Sequence, residues 1–483
     1  MNFNFNFWKK DKDNPPSSLE KNTTHDFFQP ETNPSFEESD NVVIQTEDQS
    51  LRHYTPEPAD PEKAKKYFQI SRWALYLGVF VTPLLFLPWT SNATEINKQL
   101  LLVIVASIGV ISWLLGVVSS GYLPLRVTPL DKGILGLLAA FIVGSLFSVA
   151  RTNGFFGHNV SLSNSLAFIA SLTAIYFLIV NIFEDNGKAL RNMVGWSLVL
   201  VLFYGVLQVF GLFIFGFSFS KSHIFNSVGS LNALGLVAAV SLPFFLRSRS
   251  NWWPSISVYF YKIGLVLAIT LLGVLNWWVL WFVAIIGMIA VVALENLSGN
   301  GLKIKTLILP MSIVVIGVFI MVVNLNLNFV KKNFPAEVSP SFNLSVDIAT
   351  SVMKENLLVG YGNENFYIAF DKYGANRLSN TTLSGARFFD TSSEILTLVA
   401  GGGLVMVAAI LFLFWCLAEV FRRFNRYALE NIDDGLIKES VGVLASLAAL
   451  VFAMFLYPFN STLFFLLYLF MGLAVLLIFN KNL

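Results

Sequence analysis

The chain carries a succession of apolar runs. Each is close to the ~20 residues that a helix needs to cross the ~30 Å hydrocarbon core of a bilayer. In lipid, every backbone N–H and C=O must be satisfied inside the protein, so runs of this length specify helices. They are expected near residues 71–89, 99–119, 131–149, 163–183, 192–216, 231–247, 257–275, 276–295, 304–324, 393–421, 437–457 and 461–480. Charged residues make up 13% of the chain, about half their share in soluble domains. The expected fold is an all-α polytopic membrane protein of about 12 transmembrane helices, with the lipid bilayer as its first partner.

Lys and Arg placement sets the expected orientation. One set of helix ends carries most of the cations, among them Arg126, Arg191, Arg247, Arg422, Arg423 and Arg426. The opposite short loops carry only Lys98, Arg151 and Lys221. The positive-inside rule then puts both termini in the cytoplasm of a multi-pass protein of the cytoplasmic (inner) membrane. Residues 1–66, rich in Asn, Asp, Glu, Pro and Ser, are expected to be a disordered cytoplasmic tail. The start has no apolar core or small-residue cleavage site of a signal peptide. With a net charge of +2 there is no electrostatic case for nucleic acid. The single cysteine, Cys416, excludes an internal disulfide and a cysteine-based metal site. Membrane interiors almost free of ionisable residues argue against an ion-coupled transporter.

The only long polar interval after the first helix, residues 325–392, is expected as one large extracytoplasmic loop containing short helices. Ile348, Ala349, Val352 and Leu357 recur at helical spacing opposite Asp347, Ser351, Lys354 and Glu355, which predicts an amphipathic helix. Gly360 and Gly362 supply a turn that ends it. Phe366–Tyr373 reads as a second short helix. Arg387, Asp390 and Glu394 then cluster where the chain re-enters the membrane. Ser392 or Ser393 fits a helix cap, and a first-turn Glu394 suits the helix dipole. The chemical alternative makes Arg387 a clamp for a diphosphate and Asp390 or Glu394 a general base.

In the shorter outer loops, Arg151 is a second phosphate-binding candidate or a headgroup-level cation. His158 is a group that titrates near neutral pH. Lys221 lies before the helix at 231–247, where Gly229 and Ser230 allow a tight turn and Asn232 can cap or line a cavity. The helices that meet at Leu275, Asn276, Trp277 and Trp278 are expected to join through a tight interfacial turn.

Late in the chain, ENLLVGYGNENF follows the amphipathic helix, and SSEILTLVAGGGLVMV opens the next span. This order resembles the O-antigen ligase and O-antigen polymerase family. Its pattern runs roughly Asn-Pro-x-x-Gly-x-Gly, then Phe, and later His-Asn-x-x-Leu-x-x-Leu, a small residue or Glu, and Gly. Asn356, Gly360, Gly362, Phe366, Leu396 and Gly401–Gly403 fit. PWTSNATEINKQLLL, GFFGHN and NSVGSLNALG are similar to earlier family segments. The resemblance covers about residues 71–480 and makes 67–483 an O-antigen ligase-like domain. It implies a glycosyltransferase that moves a glycan from undecaprenyl diphosphate, a polyprenyl-diphosphate carrier, to a glycan, lipid or protein acceptor during cell-envelope polysaccharide biosynthesis. No cofactor and no metal are implied. Arginines would hold the leaving diphosphate, here Arg387 and Arg151 with Lys221 behind them. Two positions depart from the pattern: Leu357 replaces Pro, and Ser392-Ser393 replace His-Asn. A serine is no base at neutral pH. Either Asp390, Glu394 or His158 takes the role, or the chain is a non-catalytic relative. A lipid-linked glycan flippase is the remaining alternative.

Overall fold

The computed structural model describes residues 60–90, 92–157, 163–183, 187–248, 254–297, 304–323, 334, 337–430 and 435–479. Fifteen α-helices order these residues. In chain order they are α1 (Pro61–Val81), α2 (Glu95–Ser120), α3 (Pro129–Leu146), α4 (Arg151–Phe156), α5 (Leu166–Ile182), α6 (Lys188–Val209), α7 (Leu231–Arg247), α8 (Pro254–Leu275), α9 (Trp278–Leu297) and α10 (Ile304–Val323). Within the polar interval lie α11 (Phe342–Glu355) and α12 (Phe366–Tyr373), and after it come α13 (Glu394–Glu430), α14 (Gly435–Ala453) and α15 (Ser461–Phe479). Seven of them are long and apolar enough to cross a membrane, and four more carry shorter apolar stretches. The chain is a polytopic membrane protein.

α15 is the central post. It is apolar all round, and every side chain from Ser461 to Ile478 is buried, the pattern of a helix enclosed by others. It packs against α5 and α14, with α2 and α13 touching it more lightly. α2 behaves oppositely. Leu100, Ile104, Ile108, Ile111 and Leu115 recur at three- to four-residue spacing and are exposed, so this stripe faces lipid.

Local chemistry moved several expected boundaries. α1 starts at Pro61, inside the stretch expected as tail, because Asp60 accepts a hydrogen bond from Lys63 N (3.1 Å) and proline suits the first helical position. Residues 1–59 of that tail lie outside the described residues. α6 stops at Val209, before a left-handed Gly211. The α8–α9 turn is as tight as expected, with Asn276 itself at φ 39°. At α7, Ser230 is the cap, accepting from Ala233 N at 3.1 Å.

The break that positions everything above the bundle is in α13. Gly403 leaves helical geometry at φ 56°, ψ −146°, freeing backbone groups inside a membrane helix. The segment after α11 fills the gap. Tyr361 N and Gly362 N donate to Ala400 O (3.1 Å) and Gly401 O (2.8 Å), while Leu404 N and Val405 N donate to Leu357 O (2.9 Å) and Leu358 O (3.1 Å). Gly360 and Gly362 are left-handed, as a turn requires, and are also contact points. A Cβ on Gly360 would sit 2.3 Å from Ala400 O, and one on Gly362 2.2 Å from Ser148 Oγ.

Gly403→Ala should therefore be severe. Its conformation costs a non-glycine residue about 1–3 kcal/mol, and its Cβ would meet Gly360 N and Leu357 O at 2.7 Å. Gly216→Ala, with nothing within 4 Å, should be nearly neutral. Thermal unfolding midpoints in detergent check this; equal midpoints for the two variants would show that the clasp does not carry the fold.

Candidate functional site

The polar end of the bundle is assembled around the start of α13. Glu394 N and Ile395 N donate to Tyr457 O and Met454 O, both at 3.1 Å, so the α14–α15 link caps the helix. Ser393 Oγ accepts from Leu396 N at 3.4 Å, the expected cap. Ser392 N is anchored on Ser345 Oγ of α11 at 3.0 Å. Of the two serines that replace His-Asn, Ser393 thus caps the helix start with its side chain, whereas Ser392 Oγ is buried without a hydrogen-bond partner among the described residues. Glu394 is fully buried, and one of its oxygens accepts from Phe459 N at 2.7 Å.

The Asn363-Glu364-Asn365 triplet is the second anchor. Asn363 Nδ2 donates to Phe141 O (2.9 Å) and Ser145 Oγ (3.0 Å). Asn365 donates to Ser148 Oγ and to Tyr361 O (3.2 Å), and it accepts from Asn153 of α4 (3.2 Å). Between two buried amides, Glu364 is forced to φ 58°, a strained conformation for a residue with a side chain. Its Oε1 accepts from Asn164 N at 2.5 Å. Burial, then the negative charges of Asp390 and Glu394, push its carboxyl well above the usual range.

A cavity of about 450 Å³ opens over this assembly, with Glu95, Glu337, Arg387, Asp390, Tyr457 and Asn460 in its wall. Burial, with Glu95 beside it, raises the Asp390 carboxyl from 3.8 to about 6. Tyr457 OH donates to Glu337 Oε1 at 2.5 Å and shares a 2.9 Å hydrogen bond with Ser230 Oγ. An adjoining cavity of about 560 Å³ is mainly apolar, with Leu231, Leu275, Trp277 and Phe334 in its wall. Gly229, Ser230 and Glu337 border both. Asn232 lines the apolar side.

The expected site residues are only partly brought together. Arg387 and Asp390 share the cavity, and Glu394 lies at the foot of the same segment. Arg387 is already engaged: Nε donates to Asp371 Oδ2 at 2.9 Å, Nη2 donates to the same oxygen, and the guanidinium lies 5.0 Å over the Tyr367 ring. Arg151 and Lys221 are exposed and do not line the cavity. Arg151 opens α4, which reaches the site through Asn153 and its hydrogen bond to Tyr367 OH (3.0 Å). His158 lies outside the described residues, in the stretch between Gly157 and Ser163; Ser163 does line the cavity. Sequence reasoning missed Glu364, Glu337 and Tyr457 as site residues, and it left Glu95 unassigned. For Glu364, the available signal was an uninterrupted polar triplet directly after Gly-Tyr-Gly. Among the described residues, no three His, Cys, Asp or Glu side chains are arranged to hold a metal ion. The chain matches no protein-family model and no curated protein sequence.

The Asp390 shift has a definite sign. Between pH 3.8 and about 6 the folded state holds a proton that the unfolded state has released, so stability falls as pH rises through that window. Asp390→Asn should be more stable than the wild type at pH 7, with the difference vanishing below about pH 4. Thermal midpoints measured against pH decide it; parallel curves at all pH values would mean that the carboxylate is not desolvated.

Proposed function

We propose that the chain is a glycan ligase or polymerase that transfers a glycan from a polyprenyl-diphosphate carrier to an acceptor at the outer face of the cytoplasmic membrane. The observation that carries this reading is the pair of adjoining cavities. One is walled by carboxylates, a tyrosine and Arg387, the other by leucine and aromatic side chains, and they share Gly229, Ser230 and Glu337. An amphiphile with a polar head and an apolar tail is the ligand class that fits both at once. The motif resemblance at Asn356, Gly360, Gly362, Phe366 and Gly401–Gly403 selects a glycan carrier among amphiphiles. In this reading α1 joins the eleven apolar helices α2, α3, α5–α10 and α13–α15 to make twelve membrane crossings, with the 325–392 segment outside.

In this reading Asp390 is the general base. A carboxyl near 6 is deprotonated at neutral pH yet more basic than an ordinary aspartate, which suits removal of a proton from an acceptor hydroxyl. The departing diphosphate develops negative charge and needs a cation. Arg387 supplies it, pre-oriented by Asp371 and Tyr367, and its planar fork matches two phosphate oxygens. Arg151, Lys221 and His158 are auxiliary candidates. The helix-capping role of Ser393 favours a second reading, a non-catalytic relative that binds the lipid-linked glycan without transferring it.

The test is transfer from undecaprenyl-diphosphate-linked glycan in proteoliposomes. Asp390→Asn should lower the rate ~10²-fold or more and abolish the rising limb of the pH profile near 6. Arg387→Ala should lower transfer, and Arg387→Lys should not restore it. In cells, deletion should accumulate carrier-linked units at the outer face. Accumulation inside would indicate a flippase, and no change in either pool would indicate the non-catalytic relative.

A further inference from the structure

At the end of the bundle away from these cavities, α13 runs on past the membrane. α15, unbroken from Ser461 to Phe479, covers about 27 Å at 1.5 Å per residue, close to the thickness of the hydrocarbon core. Trp415 is 66% exposed and lies under the Arg422 guanidinium, 5.4 Å from its ring centroid. Phe479 ends α15 and lies under the Arg423 guanidinium, which puts Arg423 at headgroup depth.

The next turns concentrate positive charge. Arg422, Arg423 and Arg426 share one carboxylate, Glu419, at 3.2, 3.0 and 3.8 Å. Arg423 uses Nε for that contact and lies over the Phe479 ring at 5.3 Å, which fixes its plane. Arg426 is 72% exposed at its side chain, and its distance to Glu419 is too long for a hydrogen bond. A cavity of about 380 Å³ opens here, with Arg423, Arg426 and Glu430 on its polar wall and Val127, Ile478 and Phe479 on its apolar wall. Glu430 opposes an incoming anion, so cation excess and not neutrality decides the sign of the site.

We propose that this cavity holds the headgroup phosphodiester of an anionic phospholipid, gripped by Arg423 and Arg426, with its acyl chains running down the Val127–Ile478–Phe479 wall. A soluble phosphate compound would satisfy the arginines equally well. The apolar wall and the headgroup depth favour a lipid.

Native mass spectrometry of the delipidated full chain, titrated with phosphatidylglycerol or phosphatidylcholine, tests the proposal. Phosphatidylglycerol should bind preferentially. The double variant R423Q/R426Q should weaken it roughly 25-fold, about fivefold for each arginine lost. Glutamine keeps helix propensity, and an unchanged thermal midpoint confirms folding. Glu430→Gln should tighten phosphatidylglycerol binding, an effect that a merely structural cluster would not give. Equal retention of the two lipids, or unchanged binding in the double variant, overturns the proposal. Displacement of phosphatidylglycerol by millimolar inorganic phosphate would also overturn it, by reassigning the site to a soluble phosphate compound.

Discussion

A broken membrane helix has to hide the backbone groups that the break exposes, and in this protein the polar interval does so. Where α13 leaves helical geometry at Gly403, four hydrogen bonds from and to residues 357–362 replace the missing ladder. Lipid offers no substitute partner, and each orphaned group there costs several kcal/mol. The repair demands close backbone approach, which explains why glycine stands at 360, 362 and 403, where a Cβ would meet backbone or Ser148 within 2.7 Å. Once the clasp is made, the following triplet is driven against α3 and α4, and α11 and α12 are fixed above the start of α13. Glu355 completes the cover by accepting from Lys372 and Tyr361.

The candidate site inherits its rigidity from this clasp and its chemistry from burial. Glu364 and Glu394 are held near the end of the bundle by backbone N–H groups of Asn164 and Phe459, which donate to their carboxylates, and not by cations, and Asp390 lies beside them. Nearby, fully buried Lys98 is spent on Val228 O (3.2 Å) and Thr462 Oγ1 (2.8 Å). Carboxyls left without a cation hold their protons more tightly than in water. The same arrangement costs stability, which is the usual relation between a site and the fold that supports it.

At the opposite end the logic reverses, and charges are paired. Arg191 meets Glu439, and Arg247 meets Glu295 at 2.7 Å, each pair largely removed from solvent. Positive charge at this end was legible from the loops, but the partners were not. Arg191 and Glu439 are 248 residues apart, and only helix packing makes them neighbours. Removing one member would strand a buried charge, so these pairs hold α6 to α14 and α7 to α9.

The amino-acid sequence by itself determined the all-helical membrane class, most helix centres, the amphipathic α11, the short α12 and the turn glycines. Those features follow from local period, length and the φ that glycine permits, all of which act within a few residues. It also marked Asp390, Arg387 and Glu394 as a cluster, since they are neighbours along the chain. Only the tertiary structure decided that Ser393 and not Ser392 supplies the cap, that Arg387 is already held by Asp371, and that Glu364, Glu95 and Tyr457 belong to the same region. A carboxylate's neighbours across 30 to 300 residues depend on how helices pack. Packing is set by shape and by the backbone bonds lost at Gly403, neither of which has a period that can be read along the chain.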